Sequence, residues 1–404
     1  MPSPVEAPAI RPFRVEFADA DLKDLQARIL HTRWPEKETV ADRSQGPQLA
    51  TMKELARYWV EEYDWRRCEA KLNSYPNFVT EIDGLDIHFI HVRSKHPEAL
   101  PIVICHGWPY SVAALLKVIE PLTDPTAHGG RAEDAFHVVL PSMPGYGFSG
   151  KPTEPGWGPD RIGRAWAQLM QRLGYDRYVA QGGDWGSIVV DLMAAQEVEG
   201  LAGIHTNMPC VVPAGIDNLF QQNILGAANA LENLPAGLSD EERAACEQLN
   251  FTWQHVTYAL QQGSRPQALA GLADSPVFLA AWMLDLEANS LALISRAFAG
   301  SSESLTREDV LDNITLYWLT NTGVSSARLY AENRFSFFAA KGVRLPVAVS
   351  VFEDELHLPP RSWAEQAYPQ LIHYNRLPAG GHYPAWEQPE SFVDEVRTGL
   401  RSLR

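Results

Sequence analysis

An aspartate stands where an apolar strand pattern runs into a tight turn and then a helix. The stretch Val179-Ala180-Gln181-Gly182-Gly183-Asp184-Trp185-Gly186-Ser187-Ile188 reads Gly-x-Asp-x-Gly. That spacing is the pattern of a nucleophile elbow, a strained turn that only small neighbours permit and that exposes its middle residue above a parallel sheet. The middle residue is more often a serine. A carboxylic acid of ordinary acidity is already ionised at neutral pH, so it can attack an sp3 carbon without a base to remove a proton. The first step this suggests is alkyl transfer, not acyl transfer. Gly-Gly-Asp alone is an ordinary turn, and only its company along the chain raises it above one.

An ester formed on Asp184 needs a base to drive water onto it. Among the 12 histidines, His382 in Ala379-Gly380-Gly381-His382-Tyr383-Pro384 follows the last strand pattern in a glycine loop, the position from which a base is presented. A histidine base needs an acid to fix its tautomer and steady its cation. Glu353, Asp354 and Glu355 all compete for that place at the end of the strand pattern over 345–352. The chain order Asp184, acid, His382 is the α/β-hydrolase order of nucleophile, acid and histidine.

The elements that must position these residues follow from periodicity. Asp19 or Asp21 can cap a helix with Leu22, Leu25 and Ile29 on one face, ended by Pro35, and a second amphipathic helix is predicted over 48–63. A hairpin follows over 78–92, turning at Asp83-Gly84. Continuous apolar runs at 101–105 and 136–140 read as strands buried on both faces, each delivering a loop: His106-Gly107-Trp108-Pro109, and Pro141-Ser142-Met143-Pro144-Gly145-Tyr146-Gly147-Phe148-Ser149. Ile162, Trp166, Leu169 and Leu173 recur at helical spacing over 161–173, with Gly174 as the stop and Trp166 as core. A strand at 178–181, the elbow helix to about residue 195 and a strand at 201–208 complete the first half. Strand and helix then stop alternating, and 211–335 reads as several helices, a lid inserted over the strand ends. Strand patterns return at 345–352 and 370–374. The expected architecture is an α/β-hydrolase fold with a mostly parallel central sheet: an N-terminal helical arm over 1–95, core over 96–210 and 336–404, and the lid over 211–335.

Composition bounds the partners. A net charge of -16 would repel nucleic acid or an anionic membrane surface, and neither is expected. Cys68, Cys105, Cys210 and Cys246 lie far apart with no C-x-x-C, which fits a reducing cytoplasm better than disulfides or a zinc site. Residues 1–11 carry neither the basic nor the apolar segment of a leader, and no run approaches the ~20 apolar residues of a membrane span. A cytoplasmic protein is expected. No dinucleotide fingerprint or metal-ligand cluster is present, so no cofactor or metal is expected.

Pro12-Phe13 with Arg33-Trp34-Pro35, His106-Gly107-Trp108-Pro109, Gly183-Asp184-Trp185-Gly186, and Gly380-Gly381-His382 with Glu387 and Pro389-Glu390 together resemble an epoxide hydrolase of the α/β-hydrolase superfamily, in its microsomal-type branch with an N-terminal epoxide hydrolase domain. The likeness runs over nearly the whole chain. It implies His106-Gly107-Trp108-Pro109 as the oxyanion motif, Asp184 as nucleophile and His382 as base. The branch's Phe-x-x-acid pattern selects Glu355 after Phe352 and leaves His357 a bystander. It also implies two lid tyrosines that donate to the epoxide oxygen, matched here by Tyr258 in Tyr258-x-x-x-Gln262-x-x-x-Pro266 and by Tyr330 in Ser325-Ser326-Ala327-Arg328-Leu329-Tyr330-Ala331-Glu332-Asn333. A phenol of pKa near ~10 stays protonated at neutral pH and can serve a nascent alkoxide. Backbone N–H groups of Trp185 and Trp108 would hold the oxyanion of ester hydrolysis. The expected reaction is epoxide to vicinal diol, without cofactor, on a small apolar or aryl epoxide. Roles known in the branch span detoxification, hormone turnover and biosynthesis, and assembly as a homodimer stays open. Membrane-bound members carry an N-terminal anchor that is not read here, so membrane association is not carried over. A haloalkane or haloacid dehalogenase would use the same Asp-ester chemistry, and the tyrosines and arm argue against it. A non-catalytic binding protein on the same scaffold is disfavoured by the intact Asp184, Glu355 and His382 set.

Overall fold

In the computed structural model, residues 9–222, 230–286, 288–299 and 305–404 are described. Most of the N-terminal stretch read above for a leader, and 223–229, 287 and 300–304 within the predicted lid, lie outside the described residues. Nine strands form one sheet: β1 (Arg11–Phe13), β2 (Asn77–Ile82), β3 (Leu85–Val92), β4 (Leu100–Cys105), β5 (Phe136–Pro141), β6 (Tyr178–Gly182), β7 (Leu201–Thr206), β8 (Val347–Asp354) and β9 (Leu371–Gly381), in the order β1-β2-β3-β5-β4-β6-β7-β8-β9. The pairs from β1 to β5 through β2 and β3 are antiparallel, and all pairs from β5 to β9 are parallel. The inner parallel strands β4, β6, β7 and β8 are buried along most of their length because helices cover both faces, while β9 at the edge is largely half-buried or exposed. Their C-terminal ends lie along one edge, with Cys105 opposite Gly182 and Gly182 opposite Thr206. That edge is where an open α/β sheet places its site.

The arm comprises α1 (Asp19–Leu30), α2 (Leu49–Glu61) and α3 (Trp65–Asn73). Neither Asp19 nor Asp21 caps α1 as expected: Ala18 stands at the cap, and the Asp21 carboxylate, three residues on, accepts the Ala18 N–H at 3.2 Å. Helix α1 stops at Leu30, before Pro35 is reached. Helix α3 was not foreseen, although its signals are present: Asp64 accepts the Arg66 N–H at 2.9 Å as N-cap, and Trp65, Cys68 and Leu72 form the buried face. The core helices are α4 (Leu116–Thr123), α5 (Pro159–Arg172) and α6 (Trp185–Ala195). On α5, Ile162, Trp166, Leu169 and Met170 are buried, each aliphatic one contributing about 1.5–3 kcal/mol. Helix α6 is buried from Trp185 to Ala194, held between the sheet and α5, and is apolar apart from Ser187, which bonds to Gly182 and Thr206, and Asp191, which bonds to Tyr368.

Between β7 and β8 run α7 (Ala214–Gln222), α8 (Asp240–His255), α9 (Thr257–Ser264), α10 (Pro276–Leu284), α11 (Ala288–Phe298), α12 (Arg307–Leu319) and α13 (Gly323–Glu332). An isolated bridge, Val212 with Ala339, ties the two ends of this insertion together. Helix α12 starts with a capping box: the Thr306 hydroxyl accepts the Asp309 N–H at 3.1 Å and the Asp309 carboxylate accepts the Thr306 N–H at 2.9 Å. After β8 comes α14 (Arg361–Ala367), and after β9 come α15 (Pro384–Glu387) and α16 (Pro389–Gly399). β9 runs well past the expected end at residue 374 and continues to Gly381. It crosses Pro378 because an edge strand needs no ladder donor on its outer side.

Candidate active site

Asp184 sits between β6 and α6 with φ 53° and ψ −127°, a conformation that costs about 1–3 kcal/mol outside glycine and persists only where its surroundings enforce it. Two close approaches enforce it here. A Cβ on Gly186 would overlap the Cys105 carbonyl, and one on Gly107 would overlap the Asp184 side chain itself. The loop after β4 can therefore press its backbone directly onto the carboxylate. The Trp108 N–H donates to Asp184 Oδ1 at 2.7 Å, and His382 Nε2 lies 3.3 Å from Oδ2. Trp185 is the first residue of α6, so its backbone N–H has no acceptor within the helix.

His382 follows β9 and is buried, with its Nδ1–H donating to the Glu355 carboxylate. Of the three competing acids, Glu353 and Asp354 end β8 exposed, while Glu355 is buried. The Glu355 N–H folds back to the Phe352 carbonyl at 3.1 Å, which turns its side chain inward. Burial raises the Glu355 pKa, and the facing imidazolium counters it. Burial by itself would lower the His382 pKa. The Glu355 charge and the hydrogen bonds to Asp184 and Glu355 outweigh it, so the imidazole binds its proton more tightly than usual. Replacing Glu355 by Gln should impair turnover severely, about 100-fold, and Asp354→Asn should change it less than about 3-fold, measured as kcat. The reverse ranking would transfer the acid role to Asp354.

Other side chains hold this set in place. Glu387 accepts the N–H groups on both sides of His382, from Gly381 at 2.9 Å and Tyr383 at 3.0 Å. Asn207, at the end of β7, takes a 3.1 Å bond from Gln181 and makes long contacts, 3.5 and 3.4 Å, to Glu355 Oε2 and the His382 carbonyl. Neither Asn207 nor Gln181 stood out in the sequence, since a polar residue at a strand end carries no pattern. His106 accepts the Met143 N–H on Nε2 at 3.2 Å and donates from Nδ1 to the Gly107 carbonyl at 3.0 Å. Burial lowers its pKa to about 4, so it is neutral and braces the loop. His357 is buried against Phe338 and Trp363, with no hydrogen-bond partner for its ring among the described residues.

Tyr258 on α9 and Tyr330 on α13 come together from the inserted helices. Their rings are 6.3 Å apart and nearly perpendicular, Tyr258 stacks on Trp108 at 5.0 Å, and Tyr330 meets Trp185 edge to face at 4.8 Å. Burial, with Tyr258 and the Asp184 charge nearby, holds the Tyr330 phenol well above its usual pKa and keeps it a donor. Both tyrosines and Asp184 line one cavity of about 180 Å³, whose other walls include Trp185, Trp253, Leu260, Phe337 and Leu356. Among the described residues no group of three or more His, Cys, Asp and Glu could hold a metal ion. No helix there is long and apolar enough to cross a membrane.

Residues 10–115 match the family model described as epoxide hydrolase N terminus, and 101–312 match that of the alpha/beta hydrolase fold. A protein of Stigmatella aurantiaca (strain DW4/3-1), provisionally named an epoxide hydrolase, is 49% identical over 98% of this chain and 86% of its own. Epoxide hydrolase 1 of Oryctolagus cuniculus is 34% identical over 98% of this chain and 89% of its own. The crystal structure of juvenile hormone epoxide hydrolase from the silkworm Bombyx mori superposes with a TM-score of 0.83 at 30% identity, covering 98% of this chain and 95% of that one.

Proposed function

The chain belongs to the epoxide hydrolases of the α/β-hydrolase fold, and from that premise we propose that Asp184, His382, Glu355, Tyr258 and Tyr330 carry its conversion of an epoxide to a vicinal diol. The single observation behind the reading is the Asp184 carboxylate, whose Oδ1 accepts the Trp108 N–H while Oδ2 faces His382 beneath two phenols. Oδ2 attacks an epoxide carbon from behind, the ring C–O bond breaks, and a tyrosine gives its proton to the departing alkoxide. The product is a hydroxyalkyl ester with Oδ1 as its carbonyl oxygen.

Ester formation removes one of the two negative charges beside His382. The resting imidazole, set between two carboxylates, holds its proton more tightly than usual; once Asp184 is neutral that hold weakens, and the proton passes back to the tyrosinate left by ring opening, which restores the phenol and frees Nε2 to act as base. His382 then takes a proton from water as the water oxygen bonds to the Asp184 carbonyl carbon. Negative charge appears on Oδ1, where the Trp108 N–H and, in this reading, that of Trp185 receive it. The bond from that carbon to the alkyl oxygen breaks as this oxygen takes the proton from the His382 imidazolium, the diol leaves, and the carboxylic acid formed on Asp184 returns its proton to His382, restoring the carboxylate.

The apolar, aromatic cavity walls support an apolar or aryl epoxide as substrate. The four cysteines, free and buried, support a reducing compartment such as the cytoplasm. Family membership and the paired phenols both favour epoxide opening over dehalogenation. Tyr330→Phe should slow alkylation about 10- to 100-fold, and loss of both phenols should slow it more than about 1000-fold, because the alkoxide then has no donor. Stopped-flow alkylation with a styrene-type epoxide tests this. A double variant alkylating at the wild-type rate would make the tyrosines structural.

A further inference from the structure

A separate set of buried hydrogen bonds converges on the loop that carries Trp108. Three successive carbonyls are each taken by a side chain from far along the chain. The Tyr383 hydroxyl donates to Trp108 O, Asn313 Nδ2 donates to Pro109 O at 2.8 Å, and the Tyr317 hydroxyl donates to Tyr110 O at 2.9 Å. The Ser111 hydroxyl donates to Asn313 Oδ1 at 2.8 Å, which fixes the amide's orientation. Ser111, Asn313, Tyr317 and Tyr383 are all buried. Asn313 and Tyr317 are four residues apart on α12 and so share one face of it. Helix α12 is itself tied to the N-terminal helices: Trp59 Nε1 donates to Thr315 Oγ1 at 2.9 Å, and Tyr63 and Arg67 both donate to Asp312 at 2.8 Å.

A loop of glycine and proline makes little regular backbone bonding of its own, and its buried carbonyls must find donors. Those donors set the tilt of successive peptide planes. The plane that matters is the one before them, joining Gly107 to Trp108: its N–H is 2.7 Å from Asp184 Oδ1, its carbonyl takes the His106 Nδ1–H at 3.0 Å, and the three donors anchor the segment into which it runs.

We infer that α12 is a strut for the second half-reaction, with Asn313 and Tyr317 as positioning residues that hold the Trp108 N–H on the oxygen where negative charge appears during ester hydrolysis. The inference rests on the Asp184 ester proposed above. Its step specificity follows from charge. During ring opening Asp184 loses negative charge, so a donor on Oδ1 does nothing extra for that transition state; during hydrolysis Oδ1 gains charge, and a well-aimed donor is worth most there. Loosening the loop therefore slows hydrolysis and spares alkylation.

The test is rapid-quench mass spectrometry of the alkyl-enzyme, with steady-state kinetics, on Tyr317→Phe, Asn313→Leu and the double variant. Each single variant should hydrolyse its ester about 10-fold more slowly and the double variant roughly 100-fold, with alkylation within about 2-fold of wild type. Steady-state kcat and KM should then fall together, leaving kcat/KM unchanged, which a merely structural role would not do. A parallel loss of kcat/KM, or a double variant hydrolysing at the wild-type rate, overturns the inference. Should the double variant not fold, Tyr317→Phe alone decides, since it keeps the ring and removes only the donor. A wild-type enzyme that forms no covalent adduct overturns the ester reading, and this inference with it.

Discussion

Asp184→Ala should form neither diol nor covalent adduct from any epoxide that the wild-type enzyme opens, a loss of roughly 10⁴-fold or more. The size of the effect follows from the geometry. Among the described residues no other carboxylate lines the cavity with the two phenols, and His382 and Glu355 stand behind Asp184. The variant should still fold: alanine at φ 53° is strained by about 1–2 kcal/mol, as aspartate already is. Intact protein mass after incubation with excess epoxide, together with product analysis, reads the outcome. Residual diol at more than about 1% of the wild-type rate would mean that water can open the ring directly, and Asp184 would lose its role as nucleophile.

His382→Gln should separate the two half-reactions. Alkylation needs no base, so the variant should gain the mass of one substrate molecule, and peptide mapping should place it on Asp184. Hydrolysis of that ester should be slower by about 10³-fold or more, because nothing else described near Asp184 can take the proton from water. The wild-type enzyme should show the same separation through pH. Two carboxylates raise the resting His382 pKa, and the ester removes one of them. Hydrolysis should therefore accelerate as pH rises through the imidazole pKa of the ester form and fail below it. Alkyl-enzyme should accumulate on the acid side. In heavy-oxygen water, a single wild-type turnover should label the Asp184 carboxylate and leave the first diol unlabelled. Label in that first diol would end the covalent mechanism.

Much of the site is local in sequence, and for that reason legible there. A nucleophile elbow is a matter of small residues at fixed spacing around one side chain, so Gly182, Asp184 and Gly186 declare it without tertiary information. The hairpin at Asp83-Gly84 and the apolar runs of β4, β5 and β8 are likewise short-range patterns, and chain order was enough to point to His382. Helix α3 carries equally local signals in its Asp64 cap and in the helical spacing of Trp65, Cys68 and Leu72.

Long-range packing decided the rest. From the residues alone Glu353, Asp354 and Glu355 were equivalent. The family resemblance singled out Glu355, and the physical separation comes from packing: pairing with β9 shifts register after Phe352 and the Glu355 N–H turns back onto the Phe352 carbonyl, leaving two exposed residues before a buried one. The far half of β9, with Pro378, Gly380 and Gly381, has a loop composition, and it is a strand because β8 supplies a partner along it. Asn313 and Tyr317 meet the Trp108 loop across some 200 residues of chain. No spacing rule could have joined them, because a hydrogen bond between distant segments leaves no periodicity in either one. Amino-acid pattern determines which chemistry this chain carries; the direction in which each carboxylate, carbonyl and N–H of that chemistry points is set by contacts that exist only once the sheet, the arm and the inserted helices have packed together.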